Sequence, residues 1–231
     1  MATTAAIVRL ETEQFRAARA ALAAAFFDYE VMVYSAPEAG RRAAGVAAVY
    51  GAFVRDALRF GEVFAAGDAR ARGIDTASGV GTADGTGETH GVAGVACWLP
   101  PGRTTITLVR QARAGMWELP WRFGVRGFSR LLAYDATAAR LHHAHAAGPH
   151  WYLSALGVEP RRQGQGIGGA LMQPILARAD AQGLPCYLET HRPRNVQLYQ
   201  RHGFEICCHT EVPGHPVPVW AMLRPPRSTA P

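Results

Sequence analysis

The chain has 231 residues with 24 basic and 18 acidic side chains, and every basic one is arginine; lysine is absent. An apolar fraction of 48% with only 18% charged residues excludes a solvated disordered chain, and no apolar run approaches the ~20 residues of a membrane span. The length suits one large domain whose core needs neither disulfides nor metal.

The opening MATTAAIVRLETEQ has no basic segment followed by an apolar one, so no secretory leader is expected. Cys97, Cys186, Cys207 and Cys208 show no C-x-x-C spacing and lie in apolar stretches, which points to free thiols in a reducing, cytoplasmic compartment. A net charge of +6 raises the question of nucleic acid. The arginines are scattered in runs of at most two, without interleaved aromatics, so neither a nucleic-acid nor a membrane partner is expected.

Ala6 to Leu10 alternate as a short strand, and Glu11 to Phe27 sets Phe15, Leu22 and Phe26 on one helical face. From Pro37 to Phe60, Val46, Val49, Tyr50, Phe53, Val54 and Leu58 recur at three- and four-residue steps, predicting a second amphipathic helix. Glu62 to Ala66 and Val92 to Trp98 read as strands. Between them, residues 68–91 are rich in Gly and Thr and have no period, as in a flexible loop. After Leu99-Pro100-Pro101-Gly102, residues 104–146 read as mostly helical with a break near Pro120. The run Leu141-His142-His143-Ala144-His145 has no carboxylate or cysteine at ligand spacing, so a solvated helix end is expected and no metal.

From Pro149 the pattern is strand (Trp151 to Val158), glycine-rich turn, helix (Ile167 to Gln182), strand (Cys186 to Glu189), helix (Asn195 to His202), then two strands ending near Leu223. Short links between alternating strands and helices imply an α/β fold with a central, at least partly parallel sheet. Residues 1–224 read as a single domain, with residues 103–147 as a helical insertion and residues 225–231 as a disordered tail.

The segment LGVEPRRQGQGIGGALM joins strand to helix through Gly164, Gly166, Gly168 and Gly169. Glycines let backbone approach a ligand, and a first helical turn offers unpaired N–H groups with partial positive charge, so this is an anion site for phosphate oxygens. The absence of lysine removes a Walker nucleotide site, and the G-x-G-x-x-G match at residues 164–169 is weak by itself.

The wider pattern V-x-P-x-x-Q-G-x-G-I-G, followed by N-x-x-x-Y-x-x-x-G-F, resembles the GNAT acyltransferases, over residues 151–223. PHWYLSALGVEPRRQGQGIG, LPCYLETHRPRNVQLYQRHGF and EVPGHPVPVWAMLRPP are similar to the puromycin N-acetyltransferase branch of that family, and a weaker likeness reaches the N-terminal IVRLETEQ and AAAFFDYE. Residues 68–91 and much of 103–147 depart from that pattern, which leaves the acceptor open. The resemblance implies a mixed, twisted sheet of about seven strands flanked by helices, with the fourth and fifth strands splayed into a cleft for acetyl-CoA. It implies an N-acetyltransferase acting on a small-molecule primary amine, an aminonucleoside antibiotic among the candidates; a silent acyl-CoA sensor and a transferase for peptide or protein amines are the alternatives. It leaves monomer and homodimer open.

By that resemblance, Gln163, Gly164, Gln165, Gly166, Ile167, Gly168 and Gly169 cradle the pyrophosphate, while the main chain of Leu156, Gly157 and Val158 pairs with the pantetheine arm. Arg161 and Arg162 flank the turn, as phosphate contacts or as solvated surface residues. Asn195 contacts the cofactor or caps its helix. Tyr199, one turn on, contacts the cofactor sulfur and protonates the leaving thiolate, a task suited to a phenol. Glu189, opposite Leu188 on its strand, is the candidate base, directly or through water, or a structural carboxylate paired with Arg194. Asp28 and Glu30 are alternative bases or attract a cationic acceptor. Phe27, Tyr29 and Tyr34, with Trp117 and Trp121, are candidates for lining the acceptor pocket or the core. Cys186 is the rival nucleophile for an acyl-enzyme route, with no neighbouring histidine in sequence to activate it.

Overall fold

The structure, a computed structural model, describes residues 5–67 and 91–227. The Gly/Thr-rich segment, apart from Gly91, and residues 228–231 of the tail lie outside the described residues. The N-terminal half runs β1 (Ala6–Arg9), α1 (Phe15–Phe26), α2 (Glu30–Ser35), α3 (Ala39–Phe60), β2 (Glu62–Gly67) and β3 (Val92–Leu99). After α4 (Leu108–Ala114) and α5 (Leu119–His145), the chain alternates β4 (Trp151–Val158), α6 (Ile167–Gln182), β5 (Cys186–Thr190) and α7 (Pro193–Arg201), and closes with β6 (Glu205–Glu211) and β7 (Pro218–Arg224).

Seven strands form one mixed sheet in the order β1-β2-β3-β4-β5-β7-β6, so the chain's last strand is interior and β6 is an edge. Only β4 and β5 pair in parallel; every other neighbouring pair is antiparallel. Helices cover both faces. On one, α1, α2, α3 and α5 build a core around Leu22, Val46, Val95 and Tyr187. On the other, α6 and α7 pack Leu171, Met172, Ile175 and Val196 against Trp98, Trp151 and Leu188. β3, buried along its whole length, separates these two cores as the centre of the sandwich.

Local departures from the sequence reading have local causes. The short helix α2 has no periodic signature, since six residues cannot display one. The helical stretch is interrupted on both sides of Pro120, as expected, but not by the proline itself, which sits in the first turn of α5 where a missing N–H costs nothing. The breaks fall at glycines, Gly115 (φ 95°) ending α4 and Gly124 (φ 68°, ψ 170°) interrupting α5. The helix end at Leu141 to His145 is not wholly solvated either. His142 Nε2 lies 2.7 Å from His150 Nε2, and its ring stacks on Tyr187 at 4.7 Å between centroids, so burial lowers its pKa to about 4. No group of three or more metal-type side chains gathers among the described residues. No described helix is long and apolar enough to cross a membrane.

The C-terminal strand is tied to α6 by charge. Arg224, with a side chain 3% exposed, donates two hydrogen bonds of 2.7 Å to the Asp180 carboxylate, which also accepts the Arg227 N–H. These bonds hold the Asp180 carboxyl below its usual range. Their stabilisation is therefore present at neutral pH and lost as pH falls through that depressed value. Asp180→Ala leaves a buried guanidinium without its partner and is expected to cost roughly 3 kcal/mol at pH 7, with a smaller deficit in acid; denaturant melts at both pH values measure it.

Candidate active site

β4 and β5 pair at only two positions, Trp151 with Cys186 and Tyr152 with Tyr187. β3 holds the other edge of β4 as far as Val158, so beyond Tyr152 the β5-facing edge of β4 has no strand partner. A bulge adds to the divergence. Cys97 opposes Ala155 and Trp98 opposes Leu153, leaving Ser154 as the extra residue, its hydroxyl 3.2 Å from Cys97 O. α1 packs closely on the same stretch: a methyl at Gly157 would lie 2.8 Å from Leu22 and 2.9 Å from Ala25. Gly157 is glycine for helix packing as much as for ligand approach.

A groove of about 270 Å³ opens in the gap, lined by Leu156, Gly157, Val158, Gln163, Gly164 and Asn195 together with Arg194, Ala25, Phe26 and Tyr29. Six predicted cofactor-binding residues therefore meet in one place. The turn is closed by Gln163, whose amide donates to Val158 O at 3.0 Å. Gly164 (φ 79°) and Gly166 (φ 78°) adopt left-handed backbone, and added methyls there would meet nothing within 4 Å. Ile167, Gly168 and Gly169 form the first turn of α6, whose forward N–H groups have no intrahelical acceptor. Gly169 serves packing, since a methyl there would meet the His202 ring at 2.6 Å. Arg161 and Gln165 are exposed beside the turn and Arg162 is half-buried. An unpaired strand edge leading to helix N–H donors fits a chain of amides that ends in phosphates.

A second cavity, of about 310 Å³, lies on the α1–α5 side of the sheet and shares Phe26, Tyr29 and Leu156 with the groove. Glu189 and Tyr199 both line it. Glu189 Oε2 accepts a 2.9 Å hydrogen bond from the Tyr152 hydroxyl, while Oε1 is buried with no partner among the described residues. Burial pushes this carboxyl up to about 8, with the Tyr152 hydrogen bond opposing the rise. The Tyr199 hydroxyl has no hydrogen-bond partner among the described residues, and burial raises its pKa well above that of a free phenol. It stays protonated at working pH. His191, whose Nδ1 lies 3.0 Å from the Tyr134 hydroxyl, is lowered by burial to about 3 and stays neutral.

Asn195 does not cap its helix. α7 begins at Pro193 with Arg192 as the capping position, so Asn195 lies inside the first turn and its amide donates to the Tyr29 hydroxyl at 2.6 Å. Arg194 lines the groove and forms no ion pair with Glu189; Arg192 instead meets Glu30 at 2.6 Å and stacks over Tyr29. Of the aromatic and acidic residues proposed for the acceptor, Tyr29 lines both cavities. Phe27, Asp28, Glu30 and Tyr34 line neither. Phe27 lies under Arg42, the Asp28 side chain is 80% exposed, and the Tyr34 hydroxyl is 2.9 Å from His215 Nδ1. Trp117 lines the acceptor cavity, and Trp121 does not. Cys186 is fully buried away from both cavities, its thiol pushed up to about 12.

Sequence reading did not single out Tyr152, Tyr134, Asp135, Gln111 and His191, all of which line the second cavity. Two were within reach: alternation along β4 places Tyr152 with Ser154 and Leu156 on one face, and steps of three and four place Phe128, Leu131, Leu132, Asp135 and Ala138 on one stripe of α5. Which stripe faces a cavity depends on α3 and α4, which sequence does not locate.

Residues 112–204, from the end of α4 to the start of β6, match the model of the acetyltransferase (GNAT) family. An uncharacterized N-acetyltransferase of Schizosaccharomyces pombe is 28% identical over 148 residues, 59% of this chain and 58% of that protein, so the likeness spans little more than half of each. Among solved structures, a Corynebacterium glutamicum protein described as histone acetyltransferase HPA2 and related acetyltransferase superposes with a TM-score of 0.66 at 23% identity, covering 99% of both chains. Arylalkylamine N-acetyltransferase 2 of Aedes aegypti gives 0.58 at 12% identity over 96% of this chain and 99% of that one. The family match thus covers residues 112–204, and the likeness to these solved structures, all under 25% identical, shows that the chain shares their fold.

A buried carboxyl raised from 4.5 to about 8 weakens the fold progressively as pH rises through that interval, because the unfolded chain ionises this group freely while the native state has to keep its proton. Glu189→Gln removes the charge and keeps an acceptor for Tyr152. Its melting temperature is expected to gain on the parent between pH 5 and about 8, with the gap level above that.

Proposed function

We propose that the protein is an acetyl-CoA-dependent N-acetyltransferase that acetylates the primary amine of a small molecule by direct attack. One observation carries the reading: an orphaned buried carboxylate oxygen of Glu189 and the free hydroxyl of Tyr199 share a cavity that meets the strand-edge groove at Phe26, Tyr29 and Leu156. Acetyl-CoA, when bound, supplies the thioester carbonyl that the amine attacks. Leu156 to Val158 bind the amide arm along their free edge, and residues 163–169 receive the phosphates on backbone N–H groups.

Glu189 acts as the base. An ammonium has no lone pair, and a carboxylate with a pKa of about 8 is matched to removing its proton near neutral pH. A β4 backbone N–H near the Ser154 bulge holds the negative charge that develops on the carbonyl oxygen. As the C–N bond forms and the C–S bond breaks, Tyr199 gives its proton to the departing sulfur. Asn195 holds Tyr29 at the junction of the two cavities and so shapes the passage between them. Cys186 has no part, being outside both cavities. The four free cysteines support placing the reaction in the cytoplasm.

Thiol release from acetyl-CoA across a panel of primary amines, an aminonucleoside and a short peptide included, tests the reading. Binding of acetyl-CoA with no release from any amine would replace it by an acyl-CoA sensor. Tyr199→Phe is expected to lower kcat by about 10²-fold while acetyl-CoA affinity changes less than about twofold. The pH profile of kcat/KM is expected to rise with an apparent pKa near 8, and Glu189→Gln to flatten that limb as well as lower the rate.

A further inference from the structure

The acceptor cavity is apolar over most of its wall, with Met32, Val49, Phe53, Ile106, Phe128 and Leu131 facing it. At about 310 Å³ it stands at the small end of ligand pockets, the size for a molecule built on one ring. Its charged lining comes from two elements: Glu189 at the end of β5, and Asp135 on α5. Asp135 is the only charged residue of the α5 stripe that faces the cavity, and it is exposed, which places it at the mouth. Gln111, on α4, lines the same cavity. Partial desolvation raises the Asp135 pKa although the residue reaches solvent, and its charge adds to the rise at Glu189, so each carboxyl disfavours the other's charge.

Two like charges facing one apolar chamber are a cost to the empty protein, and a ligand that brings a donor to each relieves it. Single-ended amines satisfy only Glu189. With the transferase reading as its basis, we propose that Asp135 is a specificity-determining residue that accepts a hydrogen bond from a donor, a hydroxyl or a second ammonium, at the far end of a hydrophobic acceptor whose primary amine meets Glu189. The acceptor class is therefore an aryl or alkyl amine with a distal donor. Asp28 and Glu30, the acidic pair suggested by the sequence, do not line this chamber, and Glu30 is paired with Arg192.

Three probes separate the terms: 2-phenylethylamine, which has no distal donor; tyramine, with a distal hydroxyl; and 1,4-bis(aminomethyl)benzene, with a second ammonium. Steady-state kinetics on the parent, Asp135→Asn and Asp135→Leu are paired with direct acceptor binding read by fluorescence of Trp117, which lines the cavity. Asp135→Leu is expected to raise KM and the dissociation constant about tenfold or more for at least one of the two donor-bearing amines, the size of one hydrogen bond to a charged acceptor. For 2-phenylethylamine and for acetyl-CoA the change is expected to stay within about twofold. A larger loss with the diamine assigns the second ammonium, and a larger loss with tyramine assigns the hydroxyl. Equal changes across all three amines, or none, overturn the role of Asp135 while leaving the transferase intact. No thiol release from any amine by the parent overturns the transferase reading and this one together.

Discussion

The parting of β4 from β5 after two paired residues is the constraint on which the remainder of the site depends. Interior strands of a sheet normally satisfy each other's N–H and C=O groups along their whole length, and a buried group left unpaired costs about 1–3 kcal/mol. Here the divergence is enforced from several sides. The bulge at Ser154 bends β4, α1 is seated on β4 at Gly157, and β7 occupies the far edge of β5 along all five of its residues. The unpaired edge is left facing an open groove, where a ligand's amides or solvent meet its hydrogen-bonding groups.

From that gap follow the two chambers and their opposite chemistry. The groove is walled largely by main chain, and a methyl at Gly164 would meet nothing within 4 Å, so the proposed cofactor would meet backbone N–H groups there more than side chains. The second cavity is walled by side chains from α1 to α5 and from the facing strands β4 and β5, and it is largely apolar. A carboxylate there interacts more strongly with whatever enters than it would in water, and the same low polarity holds Glu189 near 8, His191 neutral and Tyr199 protonated. Desolvation thus assigns the protonation states before any substrate arrives. The Asn195, Tyr29 and Thr190 contacts connect α7, the end of β5 and the segment after α1 at the junction of the chambers.

Charge outside these chambers serves the fold. Arg224 joins β7 to α6 through Asp180, Arg110 meets Asp56 across α4 and α3, and Arg192 fastens the start of α2 through Glu30. Planar guanidinium groups suit such bidentate and stacked contacts better than ammonium groups do, so an arginine-only chain loses nothing structurally by lacking lysine.

Sequence by itself determined the half of the protein whose signals are local. Alternation defined β1, short apolar runs between turn signals defined β2 to β5, three- and four-residue steps defined α1 and α3, and the glycine spacing after Val158 located the turn into α6, because strand runs, helix faces and left-handed glycines are all properties of neighbouring residues. It also directed attention to Glu189 and Tyr199, through strand alternation and a motif on a helix. Tertiary structure decided the acceptor side. Whether Asp28, Glu30 or Asp135 faces the chamber, whether Asn195 caps a helix or holds Tyr29, and whether His142 meets water or Tyr187 depend on how α2, α4 and α5 dock on the sheet. Those contacts join residues from distant parts of the chain, and no period or spacing along it encodes which amphipathic face will find which partner.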